Sequence, residues 1–315
     1  MQRPSERDDT AVSHPILHHY PESPYAEKIR TLLGYKDLAW HSVIVPRIAP
    51  KPDLVALTGG YRKVPVLQLG ADLYCDTRLI AQEIERLAPA PAATTVSPGW
   101  NDVVEHWVDV NLFGQAVAYT LGAIVDHLDD AFLADRAALR GAPLDRAALK
   151  ASVPLAAQNL AAQIAWIERG LAGGPGFVNG VRPGSGDFTL YSTLWFARNG
   201  RFDFSPFPAT QAWMERMRAF GHGQRGDMSA DEAITLAQQA KPAALPPPTS
   251  DTPDPSGLVL GRTVSVRPEL LGHGTTVTGI LAHLNTQRVT LALDTDRAGR
   301  VHVHFPRLGY RLQQA

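Results

Sequence analysis

The segment SPYAEKIR at residues 23–30 constrains the fold of this chain more than any other feature. Before it, Pro15 to Leu17 read as a short β-strand. Ser23 followed by proline is a typical helix start, because serine caps a helix and proline fits the first turn. The helix is expected to end at Gly34 and to bury apolar residues at i, i+3 and i+7, namely Ala26, Ile29 and Leu33. A hydroxyl and free backbone N–H groups therefore lie at a positive helix end, where an anion can be stabilised.

Taken alone, Ser23 would indicate only a helix cap, but a second set of signals follows it. The segment KVPVLQ (63–68) alternates like a strand yet carries Pro65, which cannot donate a ladder hydrogen bond. The chain there is expected to present backbone groups, and a cis peptide bond is one way to do so. After another short strand, Leu73 to Cys75, the pair Asp76-Thr77 begins a helix. Two helix N-termini and a proline-marked strand thus recur in one compact unit.

In this order the segments of residues 15–90 resemble the thioredoxin-like half of the glutathione transferase family, in its serine- or cysteine-type form. The resemblance implies that glutathione is the co-substrate or cofactor and that Ser23 faces its sulfur. It also implies that Val64, which precedes the family's cis-proline at Pro65, pairs its backbone with the cysteinyl part of glutathione.

The same resemblance implies how the two ends of glutathione are held. Asp76 and Thr77 match the family's Glu-Ser pair, which holds the γ-glutamyl end, although aspartate is one methylene shorter than glutamate. Lys63, with Arg62 as the second choice, is the candidate for the glycyl carboxylate. Residue 26 is alanine, so the second cysteine of glutaredoxin-like relatives is absent.

Residues 97–241 read as the all-helical domain of a transferase. From Trp100, apolar residues at 3-and-4 spacing predict one long helix with a core stripe of Val103, Trp107, Val110, Val117, Leu121, Ile124 and Leu128. Three residues off the stripe are candidates for lining a second-substrate pocket: Asn111, Phe113 and Tyr119.

The segment at 179–196 resembles the family's folding signature, in which a serine or threonine caps a buried helix three residues before an aspartate. Here Gly184 takes the place of the cap, Asp187 is retained, and Ser185 is expected to cap instead. This motif is expected to be structural.

A proline-rich linker at 242–257 separates these domains from residues 258–315, a predicted small all-β, barrel-like module. Its β-patterned runs are 258–260, 263–266, 275–284, 288–293 and 301–305. We expect the module to contact the helical domain or another protein. None of the predicted glutathione contacts lies in it.

The histidines of this module raise a metal hypothesis. His302 and His304 alternate onto one face of a strand, and His273 and His283 could approach them. No neighbouring Cys, Asp or Glu pattern completes a recognisable ligand set, so a solvated polar face is the preferred interpretation and no metal is predicted.

Composition excludes several classes of protein. Thirty basic and thirty-one acidic residues give a net charge of −1, which does not indicate nucleic acid or an anionic membrane as a partner. Residues 1–14 read as a disordered tail, and no apolar run approaches a membrane span. The single cysteine, Cys75, excludes an intrachain disulfide and fits a reducing compartment, so a cytoplasmic location is expected. Cys75 could form a mixed disulfide with glutathione, but a buried apolar role is preferred.

The expected function is transfer of glutathione to a small electrophile. Lowering a thiol pKa from about 8.5 by about two units requires roughly 2.7 kcal/mol, and a charge-assisted hydrogen bond from Ser23 contributes about 1.5–3 kcal/mol. Ser23 would act as a donor, not as a covalent nucleophile. Two alternatives stay open: a glutathione-dependent isomerase or dehalogenase-like enzyme, and a non-catalytic glutathione-binding or regulatory protein. The family resemblance also implies a homodimer.

Overall fold

The computed structural model describes residues 14–93, 98–247 and 254–315, so nearly all of the predicted tail lies outside the described residues. An α/β unit comes first, in the order β1 Ile16–His19, α1 Pro24–Tyr35, β2 Ala39–Ile44, α2 Pro52–Thr58, β3 Val66–Leu69, β4 Asp72–Cys75 and α3 Thr77–Leu87. β1 is parallel to β2 and antiparallel to β3, which is antiparallel to β4. This arrangement is the predicted thioredoxin-like fold.

Helix α1 follows the sequence prediction except at its end. Ser23 is the N-cap, and its Oγ accepts the Ala26 N–H at 3.2 Å. The helix continues past Gly34 to Tyr35, so the expected end at Gly34 is one residue early. The glycine serves a close approach instead, because a Cβ at this position would lie 2.2 Å from the carbonyl oxygen of Gly221.

The second domain is helical, as predicted. Its helices are α4 Pro98–Trp107, α5 Phe113–Ala123, α6 Asp130–Arg140, α7 Arg146–Leu171, α8 Ser185–Asn199, α9 Pro208–Arg218 and α10 Ala230–Gln239. Between α9 and α10 the short strand β5, Gln224–Asp227, pairs parallel to β2 at an edge of the sheet. None of the described helices combines the length and the apolar character that a membrane span requires.

The predicted single long helix from Trp100 is interrupted. A π-helical turn, Val108–Leu112, separates α4 from α5 and adds a residue to the helical repeat, which rotates everything beyond it. Val103, before the turn, and Val110, within it, are 53% and 54% exposed, so the predicted core stripe does not stay on one buried face. The buried positions are instead Val108, Leu112 and Ala116. The stripe therefore belongs to the core only in part.

Of the two residues of the folding signature, the aspartate has its expected role and the side-chain cap is absent. Gly184 is the N-cap of α8 but offers no side chain, and Ser185 is the first helical residue, so the expected replacement cap is wrong. Asp187 accepts the Gly184 N–H at 3.1 Å, the Val178 N–H at 2.8 Å and the Trp213 Nε1–H at 2.9 Å. The aspartate thus joins the start of α8 to the preceding loop and to α9.

The C-terminal module has five strands, as predicted, but not all at the predicted places. They are β6 Thr263–Pro268, β7 Val277–Leu284, β8 Arg288–Thr295, β9 Gly299–Pro306 and β10 Tyr310–Gln314. The run at 258–260 is not a strand, because its apolar side chains, Val259 and Leu260, stay exposed. β10 was missed because its sequence, YRLQQ, has little apolar alternation.

The module does not stand apart from the α/β unit. β9 pairs in parallel with β4, which gives one ten-stranded sheet in the order β10-β6-β7-β8-β9-β4-β3-β1-β2-β5. Arg288 of β8 forms an ion pair with Glu83 of α3. One apolar core contains side chains from the module, from β3 and β4, and from α10. The module therefore contacts the helical domain through α10, as expected, but its main partner is the α/β unit.

The module's part of the sheet curls strongly. β9 and β10 are four strand positions apart, which in a flat sheet is about 19 Å at about 4.8 Å per step. The four residue steps from Pro306 to Tyr310 span at most about 14 Å. The rings of Phe305 and Tyr310 lie 5.5 Å apart between centroids. This curl gives the barrel-like shape that the sequence predicts, and it returns Tyr310 toward the end of β4.

Candidate functional site

A cavity of about 450 Å³ lies where the three parts of the chain meet. The α/β unit lines it with residues that include Ser23, Lys63 and Val64, and α5 lines it with Phe113, Val117 and Leu121. The module adds Leu271, which lies between β6 and β7. Lys63 Nζ lies 3.4 Å from the Leu270 carbonyl oxygen, so this loop borders the predicted glycyl end.

One of the three predicted pocket residues reaches this cavity. The ring of Phe113 lines it and packs on Tyr25 at 4.6 Å between centroids. Asn111 is exposed and donates its side-chain N–H to the Trp107 carbonyl. The ring of Tyr119 packs against Phe202 at 5.2 Å. The predictions for Asn111 and Tyr119 are therefore wrong, because the π-helical turn changes which side chains face the cavity.

Ser23 lies buried at the floor of the cavity, at the N-terminus of α1. Because its Oγ accepts the Ala26 N–H, its own hydroxyl hydrogen is left to donate. Among the described residues this hydroxyl has no second hydrogen-bond partner. The helix N-terminus adds a positive partial charge at the same place. Ser23 can therefore donate to an anion in the cavity while it caps the helix.

The histidines of β1 do not act as a base at this serine. His18 Nε2 bonds to Gln68 at 2.8 Å, and His19 Nε2 bonds to Ser42 at 3.0 Å. Burial lowers the pKa of His18 to about 4 and that of His19 to about 3, so both are neutral near pH 7. The absence of a basic partner among these residues agrees with a serine that donates a hydrogen bond and is not a nucleophile.

Val64 presents its backbone to the cavity. The Val64-Pro65 peptide bond is cis, and β3 begins only at Val66. In the described part of the chain, the N–H and C=O of Val64 make no hydrogen bond. These groups are free to pair with a peptide-like ligand that lies along the start of β3.

Asp76 and Thr77 are not among the residues that line the cavity, and Asp76 is held by the chain itself. Its backbone φ is +79°, which side-chain-bearing residues rarely adopt, and its Oδ1 caps α3 by accepting the Arg78 N–H at 3.0 Å. Its Oδ2 accepts the Tyr310 hydroxyl at 3.2 Å, and the Tyr310 oxygen lies 3.1 Å from the Tyr61 hydroxyl. Burial raises the pKa of both tyrosines far above the usual range, so they remain protonated donors. The module therefore contacts a predicted glutathione-binding residue, although none of the predicted glutathione contacts lies in the module itself.

Thr77 is similarly engaged. Its Oγ1 accepts a hydrogen bond from Lys28 Nζ at 3.2 Å, and Lys28 forms a buried ion pair of 2.5 Å with Glu105 of α4. In the same region Asp109 has a buried Oδ1 with no hydrogen-bond partner among the described residues. Burial is the main cause that raises the Asp109 pKa to about 6, and the nearby Asp76 adds to it.

The cationic side chains near the predicted glycyl end differ in whether they already have an ion-pair partner. Arg62, the second choice, is bound to Asp135 at 2.6 Å. Lys51 was missed by sequence reasoning, although it directly precedes α2. It lines the cavity and is only 6% exposed, with its Nζ 5.4 Å from the centre of the Tyr20 ring. No ion pair or hydrogen bond joins its ammonium group to another described residue, and burial lowers its pKa to about 8.

Cys75 is fully buried in the core shared with the module, next to the predicted γ-glutamyl site. Burial first, and the neighbouring Asp76 second, raise the pKa of its thiol well above the usual range. The thiol therefore stays protonated and unreactive, in agreement with the apolar role preferred from the sequence.

The expectation of a solvated histidine face in the module is wrong. His304 is 1% exposed, and its Nε2 lies 2.9 Å from Oδ1 of Asp72. Asp72 belongs to β4 and comes into register with His302 because β4 and β9 pair in parallel. An acidic residue from the other end of the chain thus joins the two predicted histidines.

Comparison with known proteins agrees with this architecture. The family model described as Glutathione S-transferase, N-terminal domain, matches residues 17–92, and the one described as Glutathione S-transferase, C-terminal domain, matches residues 120–216. The fold and the site therefore define a glutathione transferase-type protein.

The chain is also similar to a solved GST-like protein from Pseudomonas syringae, with 35% identity and a TM-score of 0.79. That alignment covers 96% of this chain and 100% of the other, so it includes most of the C-terminal module. This chain belongs to the glutathione S-transferase family.

More distant solved structures show the fold alone. A glutathione S-transferase from Rhodospirillum rubrum F11 is 18% identical, with a TM-score of 0.52. FzlA from C. crescentus is 21% identical, with a TM-score of 0.50. Each alignment covers 65% of this chain and 88% of the other chain. A comparison with curated proteins finds no match.

Proposed function

We propose that this protein binds glutathione, stabilises its thiolate with Ser23 and transfers it to a small electrophile. The observation that carries this proposal is the free hydroxyl hydrogen of a buried helix-capping serine at the floor of a cavity. Lowering the thiol pKa from about 8.5 to about 6.5 needs roughly 2.7 kcal/mol, the scale of one charge-assisted hydrogen bond plus a helix end.

In the proposed binding mode the ligand lies along the start of β3. The backbone of Val64 pairs with the cysteinyl part, which places the sulfur at Ser23. The γ-glutamyl end reaches Asp76 and Thr77, and its ammonium group would also meet Oδ1 of Asp109, which has no hydrogen-bond partner among the described residues. The ammonium group would offset the negative charges of Asp76 and Asp109. A buried Asp109 needs such a positive charge nearby in order to stay ionised.

At the glycyl end we propose Lys51, together with Lys63, as the partners of the carboxylate. Lys51 is the better placed of the two because it is buried in the cavity wall and has no ion-pair partner in the described chain. An unpaired buried ammonium is costly, and a ligand carboxylate would remove that cost.

The second substrate is proposed to be small and acidic. Apolar side chains of α5 line part of the cavity, and Arg47 and Arg136 also line it, with their guanidinium carbons 4.4 and 4.9 Å from the centre of the Phe132 ring. The Nε of Arg136 is buried without a hydrogen-bond partner among the described residues. Both guanidinium groups already form ion pairs, Arg47 with Asp129 at 3.8 Å and Arg136 with Asp135 at 3.6 Å, and an anionic electrophile would add an acceptor for the Arg136 Nε. A glutathione-dependent isomerase acting on an acidic substrate uses the same features and is the second candidate.

Titration calorimetry with glutathione, followed by turnover assays on paired acidic and neutral electrophiles and isomerisable acids, tests this proposal. We expect binding, and faster turnover of the acidic member of each pair. Glutathione consumption indicates transfer, whereas product formation with glutathione returned indicates isomerisation. Binding without turnover of any substrate would favour a non-catalytic glutathione-binding protein, and absence of binding would overturn the proposal.

We also propose that the chain forms a homodimer through the outer face of α4. Trp100 and Val103 of α4 and Val110 of the π-helical turn after it are exposed, and the exposed Trp166 of α7 lies 6.2 Å from Trp107 between ring centroids. A set of large exposed apolar side chains of this kind marks an interaction surface. Sedimentation of the Trp100→Glu variant should show monomers, whereas Leu308→Glu, at an exposed apolar position of the module, should leave a dimer.

A further inference from the structure

Three metal-ligating side chains meet at the junction of the module with the α/β unit. Asp72 of β4 faces His302 and His304 of β9, and the three donor atoms all lie within 4.8 Å of one another. Asp72 Oδ1 is 2.9 Å from His304 Nε2 and 3.6 Å from His302 Nδ1. Ligand bonds of about 2.0–2.2 Å place the donors of a tetrahedral site about 3.4 Å apart, which these two distances bracket.

The outer atoms of the cluster are held as metal ligands usually are. His304 Nδ1 bonds to the Thr290 hydroxyl at 2.9 Å, which fixes the ring with Nε2 toward Asp72. Asp72 Oδ2 accepts the Ala243 N–H at 2.7 Å, which leaves Oδ1 for the interior of the cluster. Such second hydrogen bonds orient the ligands of metal sites and set their tautomers.

Hydrogen bonds alone leave one polar atom of this cluster without a partner. Nδ1 of His302 is buried and has no hydrogen-bond partner among the described residues. A buried polar atom without a partner is a clear cost to the folded state. A cation bound between this nitrogen and the other two donors would satisfy all three.

We propose that Asp72, His302 and His304 bind one divalent transition-metal ion, with Zn²⁺ as the best match. Two imidazoles and one carboxylate form a ligand set of the borderline type that Zn²⁺ accepts, and a water would complete it as the fourth ligand. The ion connects β4 to β9 and, through Ala243, to the chain that follows α10. It therefore joins the module to the α/β unit, outside the cavity that binds glutathione in the proposed function.

Metal binding by the full-length protein, stripped with a chelator, tests this proposal. Co²⁺ should bind at one ion per chain and give the visible absorption of a four-coordinate site, Zn²⁺ should displace it, and Zn²⁺ should raise the unfolding temperature. In His302→Gln and Asp72→Asn, affinity should fall by at least about tenfold. His106→Gln, at an exposed histidine of α4, is the matched control and should bind like the wild type.

Circular dichroism shows whether each variant is folded. If a variant is unfolded, metal binding by the wild-type protein alone tests the proposal. The proposal is overturned if the stripped wild-type protein binds neither Co²⁺ nor Zn²⁺ at one ion per chain. It is equally overturned if folded His302→Gln binds as tightly as the wild type.

Discussion

Two parts of the proposed glutathione site, the one at the sulfur and the one at the γ-glutamyl end, are built differently. At the sulfur, Ser23 and the N–H group that it caps are three residues apart in the sequence, and no described residue accepts the hydroxyl hydrogen. At the γ-glutamyl end, Asp76 and Thr77 are bound by side chains from α1 and from the distant C-terminal module, namely Lys28 and Tyr310. Local sequence determines the geometry at the sulfur, whereas packing of three parts of the chain determines the geometry at the γ-glutamyl end.

This difference suggests a division of roles. A free donor beside the sulfur changes the energy of the thiolate, which is the reacting species, and so it acts on turnover. A carboxylate that is already oriented acts mainly on affinity, because little of its freedom is lost when the ligand binds. Substitutions at the two ends should therefore separate in kinetics, and the separation can be tested from the largest expected effect to the smallest.

The largest effect is expected from Ser23→Ala. Loss of the donor should lower turnover by about 10²-fold or more, as removal of one oxyanion donor does, while glutathione affinity stays within a few-fold. Steady-state kinetics and calorimetry measure the two quantities. Ser229→Ala removes another serine cap, at the exposed start of α10, and controls for the stability of a lost cap, about 1 kcal/mol. An equal loss in both variants would mean that Ser23 only caps its helix.

Asp76→Asn should act on affinity instead. Asparagine can still cap α3, but it lacks the charge that meets the ligand's ammonium group. Glutathione binding should weaken by about 10- to 100-fold, which corresponds to a lost charged hydrogen bond of about 1.5–3 kcal/mol. The measurement is calorimetry, with Asp145→Asn at the cap of α7 as the control. Unchanged affinity would mean that the aspartate is too short to reach the ligand.

Lys51 should give binding a dependence on pH. Its pKa is lowered to about 8, so the cationic form that attracts a carboxylate is lost as pH rises through about 8, well below the range of an ordinary lysine. Binding of S-methylglutathione, which has no ionisable thiol, should weaken between about pH 7 and 8.5.

In Lys51→Met that binding should be about tenfold weaker at pH 7 and constant over the same range, whereas Lys51→Arg should stay tight and constant. A wild-type pH dependence that persists in Lys51→Met would assign the titration to another group.

The smallest effect is expected from Tyr310→Phe. The ring keeps its packing on Phe305, but Asp76 loses one donor. Glutathione affinity should fall by about three- to tenfold, equivalent to a hydrogen bond of about 0.5–1.5 kcal/mol. Tyr61→Phe is the matched control because it leaves the bond from Tyr310 to Asp76 intact. The same affinity in all three proteins would show that the module does not help to build the site.

The sequence predicts the parts of this molecule that depend on short-range signals. The serine cap, a strand beside Pro65 and the order of the α/β unit follow from neighbouring residues, and the structure confirms them, with that strand beginning at Val66. The π-helical turn at Val108–Leu112 has no such signal, so the predicted apolar stripe runs through it, and two of its seven residues, Val103 and Val110, are exposed.

The remaining errors concern contacts between residues far apart in the chain. Tyr310 reaches Asp76 across 234 positions, and Asp72 joins His304 across 232. Both contacts exist because β9 pairs with β4, and no periodicity in either strand indicates its partner. Lys51 is a different case. The sequence shows that it precedes a helix that starts with proline, but its burial depends on residues of the cavity wall that are distant in the sequence.

The central claim is that Ser23 stabilises the glutathione thiolate, and the pKa of bound glutathione tests it most directly. Ultraviolet absorbance of the thiolate, followed against pH in the binary complex, should give a pKa of about 6.5 in the wild-type protein, two units below a free thiol near 8.5. In Ser23→Ala the pKa should rise by at least about one unit, or about 1.4 kcal/mol. The same lowered pKa in both proteins would contradict the claim and would assign the stabilisation to the helix N-terminus alone.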